Sequence, residues 1–176
     1  MRIALETSGT PSTWNLDWSS WTPRDRAVLT FVRREGRLLL ILKKRGLGAG
    51  KYNGPGGRIE PGETPEAAAV RETQEELGVT PLGLAQAGRL RFAFADGYGI
   101  DCHVFTAREA RGEAVETDEA VPFWCDEAAI PYGRMWSDDR IWLPLMLAGT
   151  PFEAWFAFEG DLMLWHLLQV PRAAAV

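Results

Sequence analysis

GRIEPGETPEAAAVRETQEELGV, residues 57–79, decides how the rest of the chain is read. It carries Glu63, Glu66, Glu72, Glu75 and Glu76 and has a glycine at or near each end. Its boundary signals predict a helix from about Pro65 to Leu77. Thr64 is a good N-cap, Pro65 suits the first helical position because its missing N–H would be unbonded anyway, and Gly78 suits the left-handed residue past the end. At about 100° per residue, Glu72, Glu75 and Glu76 fall within about a 100° arc, while Ala67, Val70, Thr73 and Leu77 gather opposite. One face is therefore expected to pack on a sheet, and the other to hold three carboxylates within reach of one another.

Like charges three and four residues apart destabilise a helix by a few tenths of a kcal/mol. Such a cluster reads either as a solvated acidic face or as a divalent cation site. Mg²⁺ takes hard oxygen ligands and is commonly shared with substrate phosphates. The spacing favours the metal. Gly57, Glu63, Arg71-Glu72, Glu75-Glu76, Gly78 and Val79 stand at the intervals of the Nudix hydrolase signature, which this chain resembles. Thr73 departs from it, standing where that family usually has an aliphatic residue. Facing the core, its hydroxyl is expected to bond back to the carbonyl four residues earlier.

The chain of 176 residues suits one domain with an adequate core. A net charge of −5 argues against a nucleic-acid polymer as partner, since such domains are usually basic. A nucleotide is compatible with it, because a metal and a few cations meet phosphates locally. MRIALETSGT lacks the regions of a signal peptide, and no apolar run has membrane-span length. Cys102 and Cys125 read as reduced structural thiols. These features predict a soluble, cytoplasmic protein with no membrane partner, and a monomer rather than a dimer.

Two domain segments are expected: an arm over 1–23 containing Trp14, Trp18 and Trp21, and a catalytic domain over 24–176. The i, i+4, i+7 spacing of the tryptophans suggests a helical stripe packed on its own domain. A dimer contact and a lid over the site are the other readings. Residues 26–34 and 37–45 read as strands turning at Glu35-Gly36. Alternation puts Lys43 and Arg45 on one face and Lys44 on the other. Lys51 to Gly57 is a turn-dense loop. Further strands are expected at 86–94, 99–107, 121–124, 152–159 and 162–170, with a helix over 138–147. Phe92 and Phe94 alternate onto one face, and His103 reads as structural.

From about Arg26 to Val170 the resemblance narrows to the oxidised purine nucleoside triphosphatase branch of the MutT-type Nudix enzymes. It rests on LLLILKKRGLGAGKYNGPGGRIEPGE, DCHVFTA, ETDEAVPFW and IPYGRMWSDDRIWLPLML. It implies an α+β Nudix fold, an α/β/α sandwich around a mixed central sheet. It also implies Mg²⁺-dependent hydrolysis, with Mn²⁺ as a substitute, of an oxidised purine nucleoside triphosphate to monophosphate and pyrophosphate. That is nucleotide-pool sanitation, with 8-oxo-dGTP and 2-hydroxy-dATP as the expected substrates. By the same resemblance Glu72, Glu75 and Glu76 bind metal, with the carbonyl of Gly57 and the loop acid Glu119. Glu75, Glu76 and Glu119 are the candidates for catalytic base. Glu63 and Arg71 form a structural ion pair, and Lys43 contacts phosphate. Asn53, Trp136, Asp138 and Asp139 recognise the base, with Phe92 and Phe94 lining its pocket. Leu47 replaces an aromatic and Val28 a threonine, and both bear on the breadth of base specificity. Other Nudix substrates (further triphosphates, ADP-ribose, dinucleoside polyphosphates) and a non-catalytic nucleotide-sensing module are the alternative readings.

The bare chemistry is consistent with those roles. Hydrolysing a kinetically inert phosphoanhydride needs cations around the phosphates and a water held in line. Asn53 offers both a donor and an acceptor to an oxidised purine, and Trp136 a flat ring. Adjacent Asp138 and Asp139, if partly buried, allow one to keep a proton near neutral pH and donate it as a hydrogen bond.

Overall fold

A computed structural model describes residues 16–171. The strands β1 (Asp25–Arg34), β2 (Arg37–Lys43), β3 (Tyr52–Asn53), β5 (Ala85–Phe94), β6 (Gly99–Ala107), β8 (Ala120–Asp126), β9 (Phe152–Glu159) and β10 (Leu162–Gln169) form one mixed sheet. Its order is β10-β9-β5-β6-β1-β2-β3, with β8 on the other edge of β2. The β1–β6 and β5–β9 pairs are parallel, and the hairpins are antiparallel. Two short strands, β4 (Thr80–Leu82) and β7 (Glu109–Arg111), pair separately. Neither has the length or alternation to stand out in the sequence.

Helix α1 (Pro65–Leu77) covers one face of the sheet and α2 (Asp139–Leu147) the other, which makes the α/β/α sandwich. Strand alternation assigns the faces. Val28, Val32, Leu39, Ile41 and Phe105 turn towards α1, meeting Ala68, Ala69 and Leu77. Phe31, Leu38, Leu40, Leu90, Val104, Phe156 and Phe158 turn towards α2, meeting Trp142, Leu143 and Met146. Burying Leu77 alone is worth about 2 kcal/mol.

The ends of α1 follow the sequence signals. Thr64 Oγ1 accepts a hydrogen bond from Ala67 N at 3.2 Å, and Gly78 sits at φ 73° with its N–H on Gln74 O. The packing face differs from expectation. Ala67 is exposed and Val70 only half-buried, while the buried side is Ala68, Ala69, Thr73, Glu76 and Leu77. The helix is thus rolled so that a glutamate enters the interior. Thr73 Oγ1 donates to Ala69 O at 2.7 Å, as its position required.

The register places the loop before α1. β2 pairs with β1 only from Val32 to Arg34, then with β3 through Ile41–Asn53 and Leu42–Tyr52. Residues 55–59 occupy the edge of β1 that β2 leaves free. Thr30 N donates to Pro55 O, Val28 N to Gly57 O, and Ile59 N to Arg26 O, at 2.8–2.9 Å. Glycine is needed here for space. A Cβ on Gly54 would lie 2.7 Å from the Phe31 ring, and one on Gly56 would lie 2.0 Å from Val28 O.

Trp14 lies outside the described residues. Trp18 and Trp21 sit in turn and extended chain, not a helix. The helical stripe is corrected accordingly: Trp18 stacks on Trp165 of β10 with ring centres 6.0 Å apart, and Trp21 lies against Gly99. No helix among the described residues is long and apolar enough to cross a membrane.

Candidate active site

A cavity of about 460 Å³ runs along the face of the sheet that carries α2. One end is lined by Lys43, Arg45, Gly56, Gly57 and Glu119, the other by Asn53, Phe92, Phe94, Trp136, Asp138 and Asp139. The acidic face of α1 abuts the first end. The residues singled out in the sequence are therefore brought to one region by five separate stretches of chain.

At the acidic end, Arg71 is the organising cation. It grips Glu63 with two bonds of 2.9 Å, donates to Arg58 O at 2.9 Å, and reaches Glu72 at 2.8 Å and Glu75 at 3.1 Å. Those bonds hold the Glu63 carboxyl below its usual range and raise the guanidinium of Arg71. The three metal-candidate glutamates differ in burial. Glu75 is 56% exposed, Glu72 13% and Glu76 1%. Burial raises the pKa of Glu72 against the pull of Arg71. Glu76 is pushed up to about 7, chiefly by burial, although Lys43 and the Gly56 N–H oppose the shift. Its Oε2 accepts from Gly56 N at 2.8 Å, and its Oε1 stands 3.7 Å from Lys43 Nζ.

Glu119 comes from the loop before β8, where it pairs with Arg45. Thr117, which the sequence reading passed over, sets that loop. Its hydroxyl donates to Glu76 O at 2.9 Å and accepts from the backbone N–H groups of Glu119 and Ala120. The loop acid is thereby fastened to the last turn of α1. Lys43 and Arg45 both reach the site while Lys44 turns away to Glu116; the expected strand to Arg45 ends at Lys43, so the bend that follows, and not alternation, places Lys44 and Arg45.

Among the described residues, no three His, Cys, Asp or Glu side chains are gathered as ready ligands around one point. Arg71, Gly56 and Arg45 each draw a glutamate aside. The donor set nevertheless suits a hard cation. It is all oxygen, and Glu72 and Glu76 are withdrawn from water with raised pKa values that a nearby cation would lower. The backbone at Gly57 lies so close to Glu72 that a Cβ there would fall 2.5 Å from its carboxyl group. The Gly57 carbonyl accepts from Val28 N and keeps its second lone pair.

At the other end the acids are more deeply buried. Asp138 and Asp139 are each 2% exposed. Asp138 Oδ2 accepts from Trp142 Nε1 at 2.9 Å, and its Oδ1 has no partner among the described residues. Asp139 Oδ2 accepts from Trp136 N at 3.0 Å. Burial raises Asp138 to about 6 and, with the Asp138 charge beside it, raises Asp139 well above the ordinary carboxylate range. Adjacent acids at a helix start would normally be solvated. Trp142 stands four residues after Asp138, a spacing that puts both on one side of the turn and that the sequence reading did not use. Asn53 Oδ1 accepts from Gly54 N at 2.8 Å. Trp136 meets Phe158 edge-on with ring centres 5.5 Å apart and Phe94 at 6.4 Å. Leu47 lies 51% exposed at the mouth, and Val28 touches the lining although its side chain is buried towards α1. His103 is on the opposite face of the sheet, with Nδ1 3.3 Å from Gln86 Nε2, away from the cavity.

Asp25, Arg58 and Tyr98 form a further part of the lining. Tyr98 donates to Asp25 at 2.6 Å, and Arg58 Nε lies 3.0 Å from the same oxygen. No local pattern marks these three residues, because they come from three different elements.

Comparison with known proteins bears on the same stretch. The NUDIX domain family matches residues 23–146. An oxidized purine nucleoside triphosphate hydrolase of Danio rerio is 45% identical over 143 residues, covering 80% of this chain and 92% of that protein. The Mus musculus protein of the same name is 39% identical over 144 residues, covering 81% and 92%. In fold, the chain is similar to the crystal structure of a MutT protein from Bacillus halodurans, with a TM-score of 0.73 at 24% identity, covering 82% of this chain and 97% of that one.

Proposed function

This chain belongs to the NUDIX domain family, and we propose that it is a Mg²⁺-dependent pyrophosphohydrolase of oxidised purine nucleoside triphosphates. The observation that carries this reading is the shared cavity: two buried, neighbouring aspartic acids line one end, and Lys43, Gly56, Gly57 and Glu119 line the other, with Glu72 and Glu76 of α1 directly behind them. The two relatives named above, nearly fully spanned by the match, support the substrate class.

Glu72, Glu75 and Glu76 would hold the metal, with the Gly57 carbonyl and Glu119 completing the oxygen set. A bound divalent ion supplies charge neutralisation on the phosphates and makes water a better nucleophile. Lys43 adds a positive charge to the phosphate chain. Whichever of Glu75, Glu76 and Glu119 is left free by the metal takes the proton of the attacking water. At the far end Trp136 stacks on the base. Asp139, with its raised pKa, donates a hydrogen bond while Asp138 accepts one, and Asn53 offers its amide. An oxidised purine presents a carbonyl and an N–H that its parent lacks, so this mixed set discriminates in its favour. Phe92 and Phe94 form the apolar wall.

Residues 24–176 are the catalytic domain and 1–23 an appended arm, in a monomeric cytoplasmic protein. The test is a substrate panel with Mg²⁺, following pyrophosphate against phosphate release. The expected result is release of pyrophosphate, with kcat/KM for 8-oxo-dGTP or 2-hydroxy-dATP well above that for dGTP. Values no better than for dGTP with both oxidised substrates would sink the assignment.

A further inference from the structure

Lys51 and Asp161 lie outside the cavity, yet they bear on its most selective surface. Lys51 Nζ stands 5.1 Å from the centre of the Trp136 ring and 2.8 Å from Asp161 Oδ2. Trp136 lines the cavity, whereas neither Lys51 nor Asp161 does. The cation therefore covers the indole from behind and is not directed at the phosphates.

Two phenyl rings also meet the indole near right angles. Phe158 meets it at 83° and Phe94 at 71°. Gly48, at φ +80°, approaches so closely that a Cβ would sit 2.9 Å from Nε1. These contacts set where the indole sits; a cation over its face adds an attraction that favours one orientation of its plane. A lysine ammonium rides on a flexible stem and would not hold a position by itself. Asp161, in the turn between β9 and β10, supplies the anchor. The Gly46–Lys51 loop is already pinned to β2 through Gly50 N to Lys43 O and Lys43 N to Lys51 O.

We propose that the Lys51–Asp161 pair is a latch that holds the Trp136 indole in stacking position, making Lys51 a positioning residue for base binding. The inference rests on the base-stacking role given to Trp136 above. Stacking acts on bound substrate before and during the reaction alike, so its loss raises KM and leaves kcat in place.

Steady-state kinetics with 8-oxo-dGTP and Mg²⁺ test it on five full-length variants, K51M, K51R, D161N, W136A and the W136A/K51M double variant. K51M is expected to raise KM roughly threefold to tenfold with kcat within about twofold, the range that a cation–π contact supports. K51R, which keeps a cation over the ring, is expected to restore KM. D161N is expected to raise KM in the same direction by about twofold. In a W136A background K51M is expected to add nothing, because the contact is already gone. A fall in kcat at unchanged KM for K51M, a D161N protein with wild-type KM, or a K51M effect that persists in W136A each overturns the latch. Calorimetric binding of 8-oxo-dGMP and dGMP to the same set separates the two levels. If neither oxidised substrate is preferred, the proposed function fails; the Lys51–Trp136 coupling is still read from whichever monophosphate binds.

Discussion

Replacing Asp138 by Asn should make the protein more stable at neutral pH, and by an amount that depends on pH. Asp138 is fully enclosed, and burial raises its pKa from 3.8 to about 6. Between those values the folded protein keeps a proton that the unfolded chain has released, so stability falls as pH rises through that window. At pH 7 the buried Asp138–Asp139 pair has given up the first of its protons, and the accumulated loss, which belongs to the pair, is on the order of 3 kcal/mol. An Asn amide keeps an oxygen for Trp142 Nε1 and carries no charge. Asp138→Asn should therefore match wild type near pH 4 and exceed it by up to about 3 kcal/mol at pH 7.5, or roughly 6–12 °C in Tm for a chain of this size. Urea unfolding without divalent ions, run at both pH values, gives the two differences directly. A stability difference that stays constant with pH, or a variant weaker than wild type at pH 7.5, would refute the reasoning. The gain in stability should come with a loss of base selectivity, as expected where a functional site keeps an unfavourable buried charge.

Glu76→Gln keeps the shape and the Gly56 bond but removes the charge; Mg²⁺-dependent pyrophosphate release should drop on the order of a hundredfold or more, and an unchanged rate would refute the metal assignment. Arg71→Met leaves Glu63 and Glu72 without their shared cation, so denaturant unfolding should show a measurable loss of stability, and wild-type stability in the variant would make the pair ornamental. Thr73→Val exchanges a back-bonded hydroxyl for a methyl inside the α1 packing face; stability should stay within about 1 kcal/mol of wild type with pyrophosphate release unchanged, and a larger loss would show that the hydroxyl holds the helix in place.

Helix α1 was legible because its determinants are local. Thr64, Pro65 and Gly78 each act on neighbouring backbone, and all three do so as their types dictate. The longer strands were legible for a similar reason, as apolar runs bounded by turn residues, whereas β3, β4 and β7 are too short to carry such a signal. Helix rotation was not: Ala67 and Ala68 are chemically identical, and only the sheet beneath decides which is buried. Glu76 is the extreme case, a glutamate in the packing face because the Gly56 N–H and Lys43 await it there. Thr117 and the Asp25–Arg58–Tyr98 group depend on pairings between distant stretches that spacing does not encode. The tryptophan spacing misled for the opposite reason. A helical period in a short Ser/Thr/Pro-rich segment is weak against contacts offered by Trp165 and Gly99.

The two ends of the cavity are tied together by one segment, and its register matters more than any single contact. Asn53 is fixed by pairing with Ile41 on β2, and Gly57 by the hydrogen bond from Val28 on β1. The four residue steps between them span at most about 13 Å of extended chain, so the Asn53 end and the Gly57 end of the cavity are held at a set separation. Phe31 pressing on Gly54 and Val28 O pressing on Gly56 leave no room for a side chain at either step. A slip of one residue would put a larger side chain against β1 and move Asn53 and Gly57 off their marks together. The turn-rich sequence NGPGG is thus less a flexible hinge than a spacer. Its glycines are there because β1 runs directly alongside, and its length sets how far Asn53 stands from Gly57.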